Sequence, residues 1–181
     1  GPHPIIVDPK AEEVLQRIEY DFEELRVPRQ TLITLAMRAK RLDSYVRDYL
    51  DRSESPVVLH LGCGLDSRVL RVGFDKGGWY DLDYPDVIEL RRQFYNETSH
   101  YHMIPSSVTE RAWLDQVVSG NGPACIVAEG LLMYLHEEEV RRLFLDLQRR
   151  LPKSEIVFDA YSRLTAKGAN QHPSINKTGG P

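Results

Sequence analysis

The chain has little cysteine and no long apolar run, and these absences argue against several classes of protein. Only two cysteines, Cys63 and Cys125, occur in 181 residues. They form no CxxC pair and no Cys/His cluster, so we expect buried thiols in a reducing compartment and no metal site. No apolar segment approaches the roughly 20 residues of a membrane span. No basic-then-apolar leader is visible either, so we expect a cytoplasmic protein with no membrane partner.

Excess positive charge is also missing. The 23 Lys and Arg residues are outnumbered by 27 Asp and Glu residues, which leaves a formal net charge of -4. A protein that binds nucleic acid mainly through phosphates needs a basic face, so we expect no nucleic-acid partner. The length fits one domain with an apolar core.

Apolar periodicity alternates between helices and strands along most of the chain. Helical spacing covers 11–25, 30–50, 65–72, 85–96, 110–118 and 136–151, and short buried strands cover 57–61, 79–83, 101–104, 124–128 and 155–160. This alternation predicts an α/β fold with a Rossmann-like, doubly wound parallel sheet. We expect an N-terminal helical cap over 1–53, an α/β core over 54–165 and a loop or frayed end over 166–181.

A glycine turn follows the first predicted strand. Gly62 and Gly64 stand at the turn, and Asp83 ends the next strand. Strand, Gly-x-Gly, helix, strand and acid is the order in which an α/β sheet holds an adenosine-type cofactor. The glycines let the backbone approach a ligand closely, and the carboxylate accepts hydrogen bonds from ribose hydroxyls. Other polar residues at predicted strand ends are Asp66, Ser106, Ser107, Glu129 and Asp159.

Five segments extend this pattern over roughly residues 30–165. They read MRAKRLDSYV from residue 37, LGCGLDSR from 61, WYDLDYPDVIELR from 79, SSVTERAWL from 106 and AEGLLMYL from 128. In this order and spacing the chain resembles the leucine carboxyl methyltransferase-like O-methyltransferases, which include bacterial polyketide O-methyltransferases. The resemblance implies a class I fold and the cofactor S-adenosylmethionine (SAM), with S-adenosylhomocysteine (SAH) as product. It also implies methyl transfer to a hydroxyl or carboxylate oxygen of a small-molecule acceptor.

The resemblance also implies roles for individual residues. Arg38 reaches the methionine carboxylate of SAM, Gly62 and Gly64 pack against the cofactor, and Asp83 holds the ribose. Ser107 and Val108 flank the adenine, although the family often has aspartate where Ser107 stands. Glu129 lies beside the cofactor. Tyr134 follows toward the substrate side and is the candidate substrate-side residue. The catalytic residue stays unknown, since no histidine stands out as a base.

Each candidate also has a purely structural interpretation. Arg38 fits a solvated helix face, Asp83 a helix cap, Glu129 a turn and Tyr134 simple packing. The neighbouring charges have such interpretations too: Asp43 pairing with Arg47, Asp66 capping a helix or binding Arg68, and Arg91 and Arg92 on a solvated face.

Three further functions compete with the main interpretation. A nicotinamide-dependent oxidoreductase requires a third glycine where this chain has Ser67. A protein C-terminal carboxyl methyltransferase follows from the same resemblance, and a non-catalytic SAM-binding module retains only the cofactor fold. The resemblance implies seven strands, whereas five are predicted. We therefore expect that the C-terminal strands are missing, and that a further segment or a second copy of the chain completes the sheet.

Overall fold

A computed structural model describes residues 4–117 and 123–160. The end predicted over 166–181 lies outside these residues. The strands are β1 Val57–Leu61, β2 Gly78–Asp83, β3 Tyr101–Pro105, β4 Ala124–Ala128 and β5 Glu155–Phe158. The α-helices are α1 Pro9–Arg17, α2 Arg29–Asp51, α3 Arg68–Arg71, α4 Pro85–Arg91 and α5 Glu137–Arg150. Short 3-10 helices cover Phe22–Leu25, Ala112–Gln116 and Leu132–Tyr134.

The five strands form one parallel sheet in the order β3-β2-β1-β4-β5. Its register aligns Leu61 at the end of β1 with Leu82 in β2 and Ala128 in β4. The residues that follow these three positions therefore emerge side by side at one edge of the sheet. We call this the carboxyl edge, and it is where the predicted ligand site was expected.

Apolar side chains cover both faces of the sheet, which confirms the doubly wound prediction. On one face Leu59 and Leu61 pack in a core that includes Leu143 and Leu147 of α5. On the other face the core contains side chains from α1, α2, α3 and α4, namely Val14, Val46, Tyr49, Val69, Val72 and Ile88. Because successive residues of β1 point to opposite faces, its run of apolar residues serves both cores.

The predicted helix boundaries were less accurate than the strands. The helix predicted over 11–25 was wrong beyond Arg17, because Ile18 is extended and a separate 3-10 turn covers Phe22–Leu25. Residues 18–22 are richer in β-branched and aromatic side chains, which form helices less readily than the Ala, Glu, Leu and Gln before them. The helix predicted over 85–96 ends at Arg91, and that over 110–118 is a short 3-10 helix.

A network of charged side chains attaches the N-terminal helices to the sheet. Arg71 in α3 binds Asp43 in α2, Asp66 beside the glycine turn, and Asp8 at the start of α1. Arg68 binds Asp43 at 2.8 Å and lies 3.2 Å from Asp66. The predicted Asp43–Arg47 pair was therefore wrong, whereas the alternative of Asp66 binding Arg68 is confirmed. The arginine partners of Asp43 lie more than twenty residues further along the chain, so helical spacing did not reveal them.

This network changes the acidity of Asp66. Burial tends to raise its pKa, but the positive charges of Arg68 and Arg71 outweigh burial and lower the pKa from 3.8 to about 2. A carboxylate whose pKa is lower in the folded chain stabilises the fold above its ordinary pKa. That stabilisation is lost as the pH falls from about 4 toward 2.

We predict that Asp66→Asn lowers the free energy of unfolding by about 2 kcal/mol at pH 7. The difference from the parent protein shrinks below pH 4, because protonation removes the same charge from the parent. Urea denaturation from pH 7 to pH 3 measures both effects. Asp48→Asn, at an exposed position of α2, is the matched control and should change neither value. A difference that stays constant across this range would contradict the assignment.

Candidate functional site

The glycine turn and the end of β2 are joined by hydrogen bonds at the carboxyl edge. The Gly64 N–H donates to Asp83 Oδ2 at 2.7 Å, and the Tyr84 N–H donates to Asp83 Oδ1 at 2.8 Å. The Gly62 N–H donates to the carbonyl of Leu82. These bonds hold the Asp83 carboxylate beside the turn, and each oxygen keeps a further acceptor position. Asp83 also precedes α4, but no side-chain bond caps that helix.

The two glycines of the turn meet different requirements. Both have positive φ, 63° at Gly62 and 50° at Gly64, a region that side chains with a Cβ rarely adopt. A Cβ at Gly62 would lie 3.0 Å from the Leu131 side chain. A Cβ at Gly64 would meet no atom within 4 Å. The backbone at Gly64 therefore borders open space, which a ligand can approach closely.

Arg38 lies on the other half of the edge, beyond β1. Its Nε donates to Glu129 Oε1 at 2.7 Å, and its Nη1 donates to Asp159 Oδ2 at 2.9 Å. The Arg38 side chain is 26% exposed, so a fully solvated helix face does not describe it. Asp159 also accepts the Gly130 N–H at 2.6 Å. The structure thus brings Arg38 and Glu129 together and adds Asp159, a residue that sequence reasoning placed only at a strand end.

The backbone at Gly130 lies close to the Arg38 guanidinium. Its φ is 63°, and a Cβ there would lie 3.3 Å from Arg38 Nη2. The absence of a side chain at residue 130 therefore lets the guanidinium approach the backbone after β4.

Arg68 holds Glu129 from beneath. Its side chain is fully buried, and its Nη2 donates to Glu129 Oε2. Its Nη1 lies 3.0 Å from His60 Nε2. Because arginine has only donors, Nε2 accepts and the proton of the neutral ring is on Nδ1. His60 is buried, but Nδ1 has no hydrogen-bond partner and lies 3.4 Å from Asp81 Oδ1.

Ser107 and Val108 follow β3 at the same edge. The preceding Ser106 N–H donates to the Asp83 carbonyl at 2.9 Å, which ties the end of β3 to β2. Ser107 is half-buried, and its Oγ lies 2.8 Å from Thr109 Oγ1. Val108 is buried in the core with Trp113. Ser107 thus has a side chain near the open edge, while Val108 offers mainly its backbone.

Tyr134 lies in the short 3-10 helix that follows Glu129 and Gly130. Its ring is 49% exposed, so simple burial in the core does not describe it. The neighbouring Leu131 and Leu132 pack partly against the core beneath. This segment therefore presents an aromatic ring at the surface, five residues after Glu129 in the chain.

Two polar side chains that sequence reasoning missed lie under the glycine turn. Arg91, predicted on a solvated face, is fully buried and binds backbone carbonyls of the turn. Asp81 in β2 neutralises its charge. The only sequence signal was the position of a carboxylate inside an otherwise apolar strand, since a buried carboxylate requires a nearby cation.

The cysteines contribute no reactive group to this edge. Both are free and buried, as predicted. Burial raises the pKa of the Cys63 thiol well above its ordinary value, and it raises the pKa of Cys125 to about 12. Within residues 4–117 and 123–160, no group of three or more His, Cys, Asp or Glu side chains is arranged to hold a metal ion. No helix among those residues is long and apolar enough to cross a membrane.

Solved structures share this arrangement of strands and helices. The N-methyltransferase NodS from Bradyrhizobium japonicum WM9, solved with SAH, aligns with a TM-score of 0.55 at 15% identity. The alignment covers 90% of this chain and 79% of NodS. At that identity the likeness shows the fold alone, which is the Rossmann-like fold of class I methyltransferases.

Sequence relatives are more specific. The chain is 41% identical over 179 residues to the tetracenomycin polyketide synthesis O-methyltransferase TcmP of Streptomyces glaucescens, covering 98% of this chain and 66% of TcmP. It is 34% identical to the S-adenosyl-L-methionine-dependent methyltransferase dpfgK of Gibberella zeae, covering 88% of this chain and 60% of dpfgK. The chain therefore spans less than two thirds of each relative's length. The family model for leucine carboxyl methyltransferases matches residues 3–148, and the chain belongs to that family.

Proposed function

We propose that this chain binds SAM at the carboxyl edge and forms the cofactor-binding part of an O-methyltransferase for small-molecule acceptors. The observation that carries the proposal is the bond between the Gly64 N–H and the Asp83 carboxylate beside open space. An acid held in this position can accept hydrogen bonds from ribose hydroxyls. The names of TcmP and dpfgK support methyl transfer as the activity.

The residues present fit the two ends of SAM. Asp83 supplies acceptors for the ribose, and Ser107 and Val108 stand where the adenine would follow. Arg38 supplies a cation for the methionine carboxylate, and Glu129 supplies an anion near the amino group. Strands β2 and β4 flank β1, so their ends lie about 10 Å apart, a separation that suits an extended ligand.

Arg38 already has carboxylate partners, and this affects how a ligand would bind. Glu129 and Asp159 neutralise its charge in the structure. A methionine carboxylate would join this cluster or replace the contact with Asp159. Glu129 is held separately by Arg68, so it would keep its position if Arg38 moved toward the ligand.

The chemistry required of the protein is mainly alignment. When bound, SAM supplies a methyl group on a sulfonium, which an acceptor oxygen takes by in-line displacement. The protein holds donor and acceptor in line and excludes water. A carboxylate acceptor needs no base, whereas a phenol or alcohol benefits from one. Tyr134, which is exposed and follows Glu129 by five residues, is the candidate substrate-side residue.

A small-molecule acceptor is favoured over a protein C-terminus by the likeness to TcmP along 98% of this chain. Ser67 argues against a nicotinamide-dependent oxidoreductase. This residue stands where the dinucleotide fingerprint requires glycine for close helix packing. Here it is 1% exposed, and its Oγ donates to Asp8 Oδ1 at 2.5 Å. That contact uses the side chain that the fingerprint forbids.

We predict that Asp83→Ala weakens SAH binding by about 1–3 kcal/mol, because the ribose hydroxyls lose their acceptor. Calorimetric titration of parent and variant measures the change, and NAD serves as the ligand control. Asp86→Ala, at an exposed position three residues on, should bind SAH as the parent does. Equal affinity in Asp83→Ala and Asp86→Ala would remove the ribose assignment. SAH binding without methyl transfer to any acceptor would favour a non-catalytic module.

Arg38→Met should weaken binding of the amino-acid end of the ligand and leave binding of the adenosine end unchanged. We predict that its affinity for SAH falls roughly tenfold or more, because a charge-assisted bond to the ligand carboxylate is lost. Its affinity for 5′-methylthioadenosine, which lacks the amino-acid portion, should stay unchanged. Arg41→Met, at an exposed position of the same helix, is the matched control. A parallel loss of affinity for both ligands would point to a general defect of the site.

A further inference from the structure

Three successive carbonyl groups of the glycine turn accept hydrogen bonds from buried side chains of one neighbouring segment. Arg91 Nη1 donates to the Gly64 carbonyl at 2.9 Å, and Nη2 donates to the Asp66 carbonyl at 2.8 Å. Between them, the Tyr95 hydroxyl donates to the Leu65 carbonyl at 2.9 Å. We call these three bonds the carbonyl clamp.

The donors of the clamp are themselves held rigidly. The Arg91 guanidinium lies 4.1 Å from the centre of the Tyr95 ring. It binds Asp81, and its Nε donates to the Tyr101 hydroxyl at 3.0 Å. Arg91 is fully buried, and Tyr95 is 5% exposed. Water therefore does not compete for these donors, and a clamp bond that is lost leaves an unpaired buried group.

Asp81 keeps the charge of Arg91 compensated. Its carboxylate accepts from the Tyr101 hydroxyl and from Trp79 Nε1, both at 2.7 Å. Burial tends to raise the pKa of Asp81, but the positive charge of Arg91 outweighs burial and lowers it. The pair therefore stays charged, and Arg91 can direct two of its donors at the turn rather than at a second carboxylate.

The clamp restrains the peptide that follows Gly64 in the turn. Gly64 has no Cβ, so its backbone dihedral angles are less restricted than those of other residues. Rotation of the peptide after Gly64 would break the hydrogen bond between its carbonyl and Arg91 Nη1. The clamp opposes that rotation, while the Gly64 N–H stays bonded to Asp83 on the ligand side.

We propose that Arg91 and Tyr95 are positioning residues, which hold the glycine turn in the shape that receives the cofactor. This inference rests on the proposed function for its ligand, but the geometry of the clamp does not depend on it. Neither side chain has to touch the ligand. Each acts through a backbone carbonyl, so its loss affects the turn first and ligand binding second.

Tyr95→Phe is the cleanest test, because it removes one hydroxyl and keeps the ring beneath Arg91. We expect SAH to bind about three- to tenfold more weakly, as follows from the loss of one buried hydrogen bond. Tyr49→Phe is the matched control. Tyr49 is also buried, and its hydroxyl donates to the Pro123 carbonyl at 2.8 Å at the opposite edge of the sheet. We expect Tyr49→Phe to lower the melting temperature and leave SAH affinity unchanged.

Arg91→Lys provides a second variant that keeps a positive charge beside Asp81. One ammonium group does not reproduce the two-carbonyl fork, so we expect a loss of SAH affinity at least as large as that of Tyr95→Phe. If Tyr95→Phe and Arg91→Lys both bind SAH with an affinity within twofold of the parent protein, the proposal is overturned. A purely structural role would lower the melting temperature in Tyr95→Phe and Tyr49→Phe alike without separating their affinities.

Amide hydrogen exchange at Gly64 and Asp66 tests the clamp without any ligand. Both amides are hydrogen-bonded within or beside the turn. We expect Tyr95→Phe to speed their exchange and Tyr49→Phe to leave it unchanged; equal rates in all three proteins would overturn the clamp. If the parent protein does not bind SAH, the proposed function fails, and this exchange measurement alone decides whether the clamp exists.

Discussion

A guanidinium group removed from water requires a partner for its charge and for its donors. Arg68 and Arg91 are both fully buried, and an unpaired charge there would cost several kcal/mol. Arg68 is compensated by carboxylates from separate parts of the chain, namely Asp43 and Glu129. Arg91 is compensated by Asp81 and by backbone carbonyls. The carboxyl edge is therefore built around two cations, and its loops take the positions that these cations require.

The two buried arginines serve different halves of the edge. Arg91 lies under the glycine turn, on the side of Asp83, and Arg68 lies under Glu129. His60 stands between them in β1, with one ring nitrogen toward Arg68 and the other toward Asp81. The two halves also meet at Asp66, whose carbonyl accepts from Arg91 and whose carboxylate lies 3.2 Å from Arg68.

Sequence patterns predicted the sheet well because its signals are local. Each strand is a short apolar run bounded by turn residues, and the glycine turn and Asp83 follow directly from such runs. The roles of Arg91 and Asp43 were not predictable in this way. An arginine at the end of a helix looks solvated unless its partner is known, and Asp81 lies ten residues away on another element. The ends of α1 and α4 were placed too far along the chain, because apolar spacing continued past the residues at which each helix stops. The contacts of Asp159 could not be predicted without knowing that β5 pairs with β4.

The order of strands has a consequence for how the chain is made. The central strand β1 pairs with β2 soon after both are synthesised, but its other neighbour, β4, arrives only with residues 124–128. Arg68 likewise meets Glu129 across 61 residues of chain. During synthesis the early segment therefore carries an exposed strand edge and an incompletely paired arginine, and such long-range pairings form slowly. The carboxyl edge is completed late, so a nascent chain that stops before β4 has the glycine turn and its clamp but lacks Glu129, the carboxylate that pairs with Arg68.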